Sequence, residues 1–240
     1  TMNLLLFERS ECHVPGQIQL TDRRFDHLKN VRKIRAGETL CVGEVDGEMG
    51  EAVVAAIDEK SVHLRFRLSE QPPKPLALTL IIGLPRPRSV PRVLRTATML
   101  GVKRIIFVHA NRVEKPYWST DHLSANRVRS ACLLGLEQAM DTGIPVVSFQ
   151  RRLKSFVEDE ISQEIQGKRA LLAHPFAGNV CPVDLREPVV LAVGPEGGRI
   201  DDEVMISSSA YTVALAHPFT LGSRIYAIRG VKFRNKYQYQ

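Results

Sequence analysis

The sequence predicts an α/β protein of two domains, a small β-barrel followed by a larger domain built on a parallel sheet. Short runs of alternating hydrophobicity, separated by regular turns, fill residues 3–70 and are typical of a small barrel. The proline-rich stretch at 71–75 can continue neither a helix nor a sheet. Beyond it, apolar strand segments alternate with helical segments, as in a parallel sheet with covered faces. We therefore predict domains at 1–70 and 76–240, joined by a linker at 71–75.

The predicted barrel has one helix among its strands. A strand is expected at 4–7, and further strands at 39–45, 49–57 and 61–68. Asp46-Gly47 is a strong hairpin pattern between two of them. The helix is expected at 22–34 and has a basic surface, formed by Arg23, Arg24, Lys29, Arg32 and Lys33. This surface and the basic side of the last strand are candidate RNA-binding surfaces, and a merely solvated polar face is the alternative.

The second domain is predicted from its alternation of elements. Strands are expected at 76–82, 104–108, 146–149, 170–173, 189–193 and 212–216. Apolar residues at helical spacing predict helices at 89–100 and at about 121–140, the latter capped by Thr120 or Asp121. Gly101 is expected to end the first helix.

The stretch VVLAVGPEGGRI at 189–200 is the centre of the predicted functional site. An apolar run without alternation is typical of a strand buried on both faces. The glycines that follow allow the backbone to turn sharply and to approach a ligand. Such a loop lies at the carboxyl end of its strand, where open α/β sheets bind ligands. A tight turn without a ligand is the alternative.

A second candidate site follows the strand at 76–82, where arginines surround prolines in LPRPR. Arg88, Arg92 and Arg95 are spaced to share one face of the next helix. Together with Arg86 they form a surface that could contact RNA phosphates through bidentate hydrogen bonds, and a solvated arginine face is the alternative. The predicted RNA-binding residues of the chain are Arg24, Arg32, Arg86, Arg88 and Arg92.

Two tetrapeptides of identical sequence, AHPF, end two of the predicted strands and contain His174 and His217. These histidines could serve as acid–base groups or hydrogen-bond donors, or His-Pro could simply end each strand. No third ligand accompanies them, so no metal site is predicted. The chain also lacks the patterns of a P-loop, a dinucleotide fingerprint and a nucleophile elbow.

Composition and charge narrow the class of protein. The 240 residues carry a formal net charge of +7, which favours a polyanionic partner such as nucleic acid, although a basic enzyme without one is possible. No apolar run approaches the length of a membrane span, and the first residues do not match a secretory signal. The four cysteines are widely spaced without a CxxC pair, so we expect reduced thiols in a cytoplasmic protein.

Two motifs in order give the chain a family resemblance. They are Gly194-Pro195-Glu196-Gly197-Gly198 and Leu221-Gly222-Ser223-Arg224-Ile225, behind a small β domain. Further likeness lies at 27–32, 36–38, 97–102 and 135–138. With these motifs the chain resembles the bacterial 16S ribosomal-RNA uridine-N3 methyltransferases, a branch of the SPOUT methyltransferases.

The resemblance implies a PUA-like barrel that helps to bind RNA, and a parallel-sheet SPOUT domain with a trefoil knot. It implies S-adenosylmethionine as cofactor and a homodimer whose partner completes the active site. The substrate would be 16S ribosomal RNA in the small subunit, methylated at a uracil N3. The implied cofactor-binding residues are Leu84, His174, Gly194, Pro195, Glu196, Gly197, Gly198, Leu221, Gly222 and Ile225. Arg224 is the candidate catalytic cation, and Glu196 is a candidate base or a structural acceptor in its loop.

One segment departs from the family pattern. The family usually continues Arg-Ile as Arg-Ile-Leu-Arg and then a Thr-Glu-Thr-Ala-like run. Here residues 226–230 are YAIRG. A diverged non-catalytic RNA-binding or ribosome-assembly protein on the same scaffold is therefore one alternative, and a SPOUT methyltransferase with another RNA target is a second.

Overall fold

The computed structural model describes residues 2–109, 115–174, 182, 184–194 and 212–215. The chain divides into two compact units. The first unit contains residues 1–74 and 132–144, and the second contains 75–131 and 145–240. The structure thus assigns to the first unit a segment, 132–144, that lies well past the linker in sequence.

The first unit contains a five-stranded sheet in the order β1-β3-β4-β5-β2. The strands β1 and β3 are parallel and the other neighbours are antiparallel. Side chains from all five strands share one core with Phe25 and Leu28, so the sheet curls around that core as a half-barrel. The strands are β1 (Leu5–Phe7), β2 (Gln17–Leu20), β3 (Thr39–Glu44), β4 (Met49–Ile57) and β5 (Val62–Glu70).

The strand β1 is buried on both faces. Leu5 and Phe7 point into the half-barrel core, whereas Leu4 and Leu6 belong to a second cluster with Met49 and Leu136. Leu136 comes from the 132–144 segment, which also pairs through its backbone, since the amides of Asn3 and Leu4 donate to the Glu137 carbonyl at 3.2 and 3.0 Å. Segment 132–144 therefore covers the outer face of β1.

The predicted basic helix begins where the sequence placed it. The Asp22 side chain accepts from the Arg24 amide and caps α1 (Arg23–Asp26), which continues as a π-helix over His27–Arg32. Lys33 then adopts a left-handed conformation with φ of 53° and ends the helix.

Arg24 anchors this helix to the rest of the first unit. Its guanidinium forms ion pairs with Glu11 and Asp22 and donates to the Leu6 carbonyl at 2.8 Å. Burial is the largest single effect and raises the pKa of the Glu11 and Asp22 carboxyls. The side-chain hydrogen bonds from Arg24, a backbone hydrogen bond to each carboxyl and the charge of Arg24 together outweigh burial, so both pKa values are lowered. The ionised pair is therefore a stabilising feature of the fold.

Replacing Arg24 with methionine is expected to lower the free energy of unfolding by about 1–3 kcal/mol at pH 7. The contribution of the ion pair between Arg24 and half-exposed Asp22 is reduced because solvent screens it. The pKa values of Glu11 and Asp22 are lower in the folded protein than in the unfolded chain. The stabilisation is therefore complete above the unfolded pKa values of about 4, and it is lost as the pH falls through the folded pKa values. Urea denaturation from pH 7 to pH 3 measures this loss. Arg9→Met, which removes an ion pair from an arginine that is 86% exposed, is the control. Equal stability of Arg24→Met and wild type at pH 7 would contradict the assigned role.

The second unit contains a six-stranded sheet in the order β11-β9-β10-β6-β7-β8. All neighbouring strands in it are parallel, as the alternation of elements predicted. The apolar run at 189–193 is the interior strand β10, whose three central residues are buried. The strands are β6 (Leu76–Gly83), β7 (Val102–Val108), β8 (Val146–Gln150), β9 (Arg169–His174), β10 (Val189–Val193) and β11 (Thr212–Leu215).

Helices pack against this sheet. One of them, α2 (Val90–Met99), buries Val93, Leu94 and Ala97 and contacts β7. Gly101, with φ of 82°, follows its end as expected. A second helical segment packs Phe156 and Ile161 on core residues of β6, β7, β9 and β10. This segment comprises α4 (Leu153–Ser155), a π-helical turn (Phe156–Glu160) and α5 (Ile161–Ile165).

The long helix α3 (Ala125–Ala139) starts later than predicted. The Thr120 side chain does cap a turn, accepting from the His122 amide at 3.3 Å, but that turn is a short 3₁₀-helix over Asp121–Leu123. Ser124 is extended, with ψ of 146°, and separates the turn from α3. Within the described residues, no helix is both long enough and apolar enough to cross a membrane.

Candidate active site

Three of the predicted cofactor-binding residues lie at the carboxyl ends of the parallel strands. Val193 of β10 lies opposite Ile82 of β6 and Ala173 of β9. The next residues along these strands, Gly194, Gly83 and His174, therefore lie at one level of the sheet edge. Leu84 follows Gly83 at this edge. The site predicted around the 194–198 loop thus begins at the centre of the carboxyl edge, where ligands bind in open α/β sheets.

Leu84 fixes the start of the loop that follows β6. It is 2% exposed, and its amide donates to the Val108 carbonyl at 2.9 Å. Pro85 is buried next to it, so the chain leaves the sheet edge in one fixed direction.

The arginine loop beyond Leu84 is solvent-facing. Arg86, Arg88 and Arg92 are all exposed. The Ser89 amide donates to the Arg86 carbonyl at 2.8 Å, which closes a 3₁₀ turn over Pro87–Ser89 before α2 begins. The loop is therefore a structured basic projection next to the carboxyl edge, suited to contacts with phosphate groups.

The two basic residues predicted as RNA contacts in the first unit differ in placement. Arg32 is exposed, and its guanidinium donates a long hydrogen bond of 3.4 Å to the Thr39 carbonyl. Arg24 is 9% exposed and its guanidinium is enclosed by Glu11, Asp22 and the Leu6 carbonyl. We correct its predicted role accordingly, because a phosphate would have to displace two carboxylates that already neutralise it. Sequence alone gave no indication that Glu11, thirteen positions away, would be its partner.

Most of the remaining predicted site residues lie outside the described residues. They are Pro195, Glu196, Gly197, Gly198, Leu221, Gly222, Arg224 and Ile225. His174 is described only through its backbone, which pairs with Leu215 of β11. The chain enters the 195–198 segment from β10 and the 216–225 segment from β11, and both strands end at the same edge.

Sequence reasoning missed three residues at this edge. His109 follows β7, Arg151 follows β8, and Trp118 lies in the 3₁₀-helical turn Lys115–Ser119. No spacing rule links them, because the residues come from three separate segments. The one available indication was that Trp118 is the only tryptophan of the chain.

The opposite, amino edge of the sheet contains a cavity of about 420 Å³, lined by Leu76, Val146, Lys168 and neighbouring residues. Arg104 and Lys168 at this cavity share one carboxylate, Glu164, at 2.6 and 4.0 Å, which offsets one of their two positive charges. This edge carries none of the predicted site residues. Among the described residues, no three His, Cys, Asp or Glu side chains come together as a possible metal site.

Comparison with known families assigns the chain. The family model described as RNA methyltransferase domain matches residues 72–226, and the model described as RNA methyltransferase PUA domain matches residues 20–67. The chain belongs to the RNA methyltransferase domain family. The predicted enzyme class, an RNA methyltransferase, is thereby confirmed.

Relatives and solved structures agree with this family. The chain is 28% identical over 214 residues to the ribosomal RNA small subunit methyltransferase E of Treponema pallidum, which covers 87% of this chain and 80% of the relative. A crystal structure of the ribosomal RNA small subunit methyltransferase E from Neisseria gonorrhoeae, bound to S-adenosyl methionine, is 21% identical with a TM-score of 0.65, covering 92% of this chain and 90% of that one. A Legionella pneumophila methyltransferase in complex with the same cofactor is 20% identical with a TM-score of 0.66, covering 92% and 91%.

These similarities confirm the predicted fold class, a PUA domain followed by a SPOUT methyltransferase fold. In this methyltransferase the PUA part is the half-barrel of the first unit, and the parallel sheet is that of the second. The segments in which the trefoil knot is predicted lie outside the described residues.

Proposed function

We propose that this protein methylates the N3 atom of a uracil in 16S ribosomal RNA of the small subunit, with S-adenosylmethionine as the methyl donor. The observation that carries the proposal is the arrangement of Leu84, His174 and Gly194 at one carboxyl edge, within a chain region matched by the RNA methyltransferase model. The names of the relatives support small-subunit ribosomal RNA as substrate, and the two cofactor-bound structures support the cofactor.

The described part of the edge fits a cofactor that lies against backbone. Val190 and Ala192 are fully buried, so β10 is a rigid support that ends directly at Gly194. Gly197 and Gly198 would leave room for the cofactor, because a residue without Cβ lets the backbone approach a ligand closely. Pro195, Leu221, Gly222 and Ile225 would complete the lining. The bound cofactor supplies a sulfonium methyl group that is already electrophilic.

The chain's own residues then have to position the base and manage one proton. Uracil N3 carries a proton that must leave as the N3 lone pair forms the bond to the methyl carbon and the carbon–sulfur bond breaks. Arg224 would favour the anionic form of the uracil ring, since a guanidinium stays charged at every physiological pH. Glu196 would accept the proton or, alternatively, accept loop amides and leave the proton to water. Holding N3 in line with the methyl group supplies much of the remaining rate enhancement.

RNA binding is assigned to exposed arginines on each unit. Arg86, Arg88 and Arg92 lie in or just after the loop that follows β6, next to β10, and Arg32 lies on the basic helix of the first unit. A uracil inside a helix or loop has to be splayed out before N3 becomes accessible, so phosphate contacts that hold neighbouring nucleotides are useful. We further propose a cytoplasmic homodimer whose partner completes the site.

Gly197→Val is expected to weaken binding of S-adenosylmethionine at least about 100-fold, because the added side chain would occupy space next to the cofactor. Calorimetric titration of wild type and variant measures this, with gel filtration reporting the mass of each. Ala77→Val introduces the same side chain at an exposed residue on the amino edge of the same sheet and is the control. Unchanged affinity in Gly197→Val would place the pocket elsewhere.

The runner-up function is that of a non-catalytic RNA-binding or ribosome-assembly protein. One observation favours it, namely the departure of residues 226–230 from the family pattern directly after Arg224-Ile225. The wild-type titration decides between the two. Micromolar binding followed by transfer of a tritiated methyl group to small subunits supports the enzyme. Transfer to transfer RNA instead would change the substrate. No binding by folded, dimeric protein supports the runner-up.

A further inference from the structure

His109, Trp118 and Arg151 form a cluster at the carboxyl edge of the second unit's sheet. The His109 amide donates to the Gln150 carbonyl at 2.9 Å, which continues the pairing of β7 and β8 past their ends. His109 and Arg151 are therefore held by adjacent strand ends. Trp118 joins them from the Lys115–Ser119 turn.

The contacts within the cluster fix the tryptophan ring. Its indole Nε1 donates to His109 Nδ1 at 2.9 Å, and the two ring centroids lie 5.9 Å apart at an interplanar angle of 35°. The guanidinium carbon of Arg151 lies 5.6 Å from the centre of the indole ring, and its Nη2 donates to the Trp118 carbonyl at 3.4 Å. The nearby carboxylate of Glu160 accepts from the Gln150 side chain at 2.8 Å.

These contacts indicate a binding surface rather than an acid–base group. Indole N–H can only donate, so His109 Nδ1 accepts this hydrogen bond and orients the indole ring. A planar aromatic ring beside an exposed guanidinium is the combination on which unpaired nucleobases stack. Because the ring is oriented before any ligand arrives, binding costs little side-chain entropy.

The order of the strands places this cluster on the same edge of the sheet as the end of β10, from which the proposed cofactor loop begins. Along the carboxyl edge, β10 leads to the 194–198 loop, β6 to the arginine loop, and β7 and β8 to the cluster. Two strand spacings, about 10 Å, separate β10 from β7. A few nucleotides of RNA can span that distance, with their phosphates against Arg86 and Arg88.

We infer that Trp118 and Arg151, oriented by His109, bind an unpaired base of the RNA that neighbours the methylated uridine. This inference deepens the proposed function and depends on RNA being the substrate. The competing explanation is a structural one, in which the three residues only fasten the Lys115–Ser119 turn to the sheet edge.

The single tryptophan makes the test direct, because all indole fluorescence comes from this cluster. Wild-type protein is titrated at low salt with a single-stranded eight-nucleotide oligouridylate. Stacking predicts saturable quenching of the tryptophan fluorescence. An RNA duplex of equal length, whose bases are already stacked, is expected to quench little. Absence of quenching by the single strand at any concentration would overturn the inference.

Variants separate stacking from charge and from folding, and their affinities are measured by the fluorescence anisotropy of an oligouridylate that carries a fluorescein label, since the Trp118 variants contain no tryptophan. Trp118→Ala is expected to weaken binding of the oligouridylate about 5-fold or more, whereas Trp118→Phe keeps a ring and most of the affinity. Arg151→Lys keeps the charge but loses the planar group, and should also weaken binding.

Arg127→Lys, at an exposed arginine of α3, is the matched control with unchanged affinity. Circular dichroism confirms folding of each variant. Affinity within about 2-fold of wild type in both Trp118→Ala and Arg151→Lys would overturn the inference.

Tritium transfer keeps this inference distinguishable from the proposed function. If the stacking site belongs to the methylated substrate, Trp118→Ala raises the KM for RNA and leaves kcat at saturating RNA near wild type. Quenching in a wild-type protein that transfers no methyl group would refute the proposed function alone. Active wild-type enzyme with no quenching and an unchanged KM in Trp118→Ala would refute the stacking site alone.

Discussion

Replacing Arg224 with alanine is expected to lower the rate constant of methyl transfer by about 100- to 1,000-fold. In the proposed reaction the uracil ring would gain negative charge as N3 loses its proton, and the Arg224 guanidinium would stabilise that charge without reorganising. The motif that contains Arg224 follows β11, which is paired with β9 and ends at the same edge as Gly194. Single-turnover transfer of a tritiated methyl group to small ribosomal subunits measures the rate constant.

Binding of the cofactor should change far less than the rate, because the stabilised charge exists only as the reaction proceeds. Calorimetry on Arg224→Ala therefore serves as the internal check on folding and pocket integrity. Arg229→Ala removes the same charge from the same segment of sequence and is the matched control. A rate constant for Arg224→Ala close to that of Arg229→Ala would remove Arg224 from the mechanism.

Gly50→Ala is expected to lower the free energy of unfolding of the first unit by about 3 kcal/mol. A Cβ atom at Gly50 would lie 2.0 Å from the carbonyl oxygen of Arg67 and 2.9 Å from the Cα atom of Leu68. Both are backbone atoms of β5, so neither can rotate away. The clash sits where the β4–β5 register shifts between Met49 and Gly50, so relief would require the strands to separate.

Urea denaturation followed by circular dichroism measures this loss, with the slope of the transition checked for two-state behaviour. Ala55→Val adds two methyl groups to an exposed residue of the same strand and should change stability by no more than about 0.5 kcal/mol. A Gly50→Ala protein as stable as Ala55→Val would show that β4 and β5 are not packed as closely as described.

The local elements of this fold were largely predictable from sequence. The Asp46-Gly47 hairpin, the start of the basic helix at Asp22 and the buried strand β10 each depend on neighbouring residues, so short windows predict them. The exception at the start of α3 is also local. Thr120 is an equally good cap for a 3₁₀ turn and for an α-helix, and only the extended Ser124 distinguishes the two.

Arg24 and Arg32 have different surroundings that their local sequence does not predict. By sequence, Arg24 and Arg32 are equivalent members of one basic helix. In the structure Arg32 is exposed, whereas Arg24 is enclosed by carboxylates and a carbonyl from other segments. Pairing partners far apart in sequence follow no periodic pattern, so no window around Arg24 could have assigned it a structural role.

The sequence by itself determined the α/β class, the parallel sheet and the two motifs that identify the methyltransferase family, because each depends on contiguous residues. Only the tertiary structure decided that segment 132–144 completes the first unit, that Arg24 belongs to its core contacts, and that His109, Trp118 and Arg151 meet at one edge. The physical reason is the same in all three cases. These contacts join residues that the chain brings together only when its strands align, and the free energy of such contacts depends on distance in space rather than on spacing in sequence.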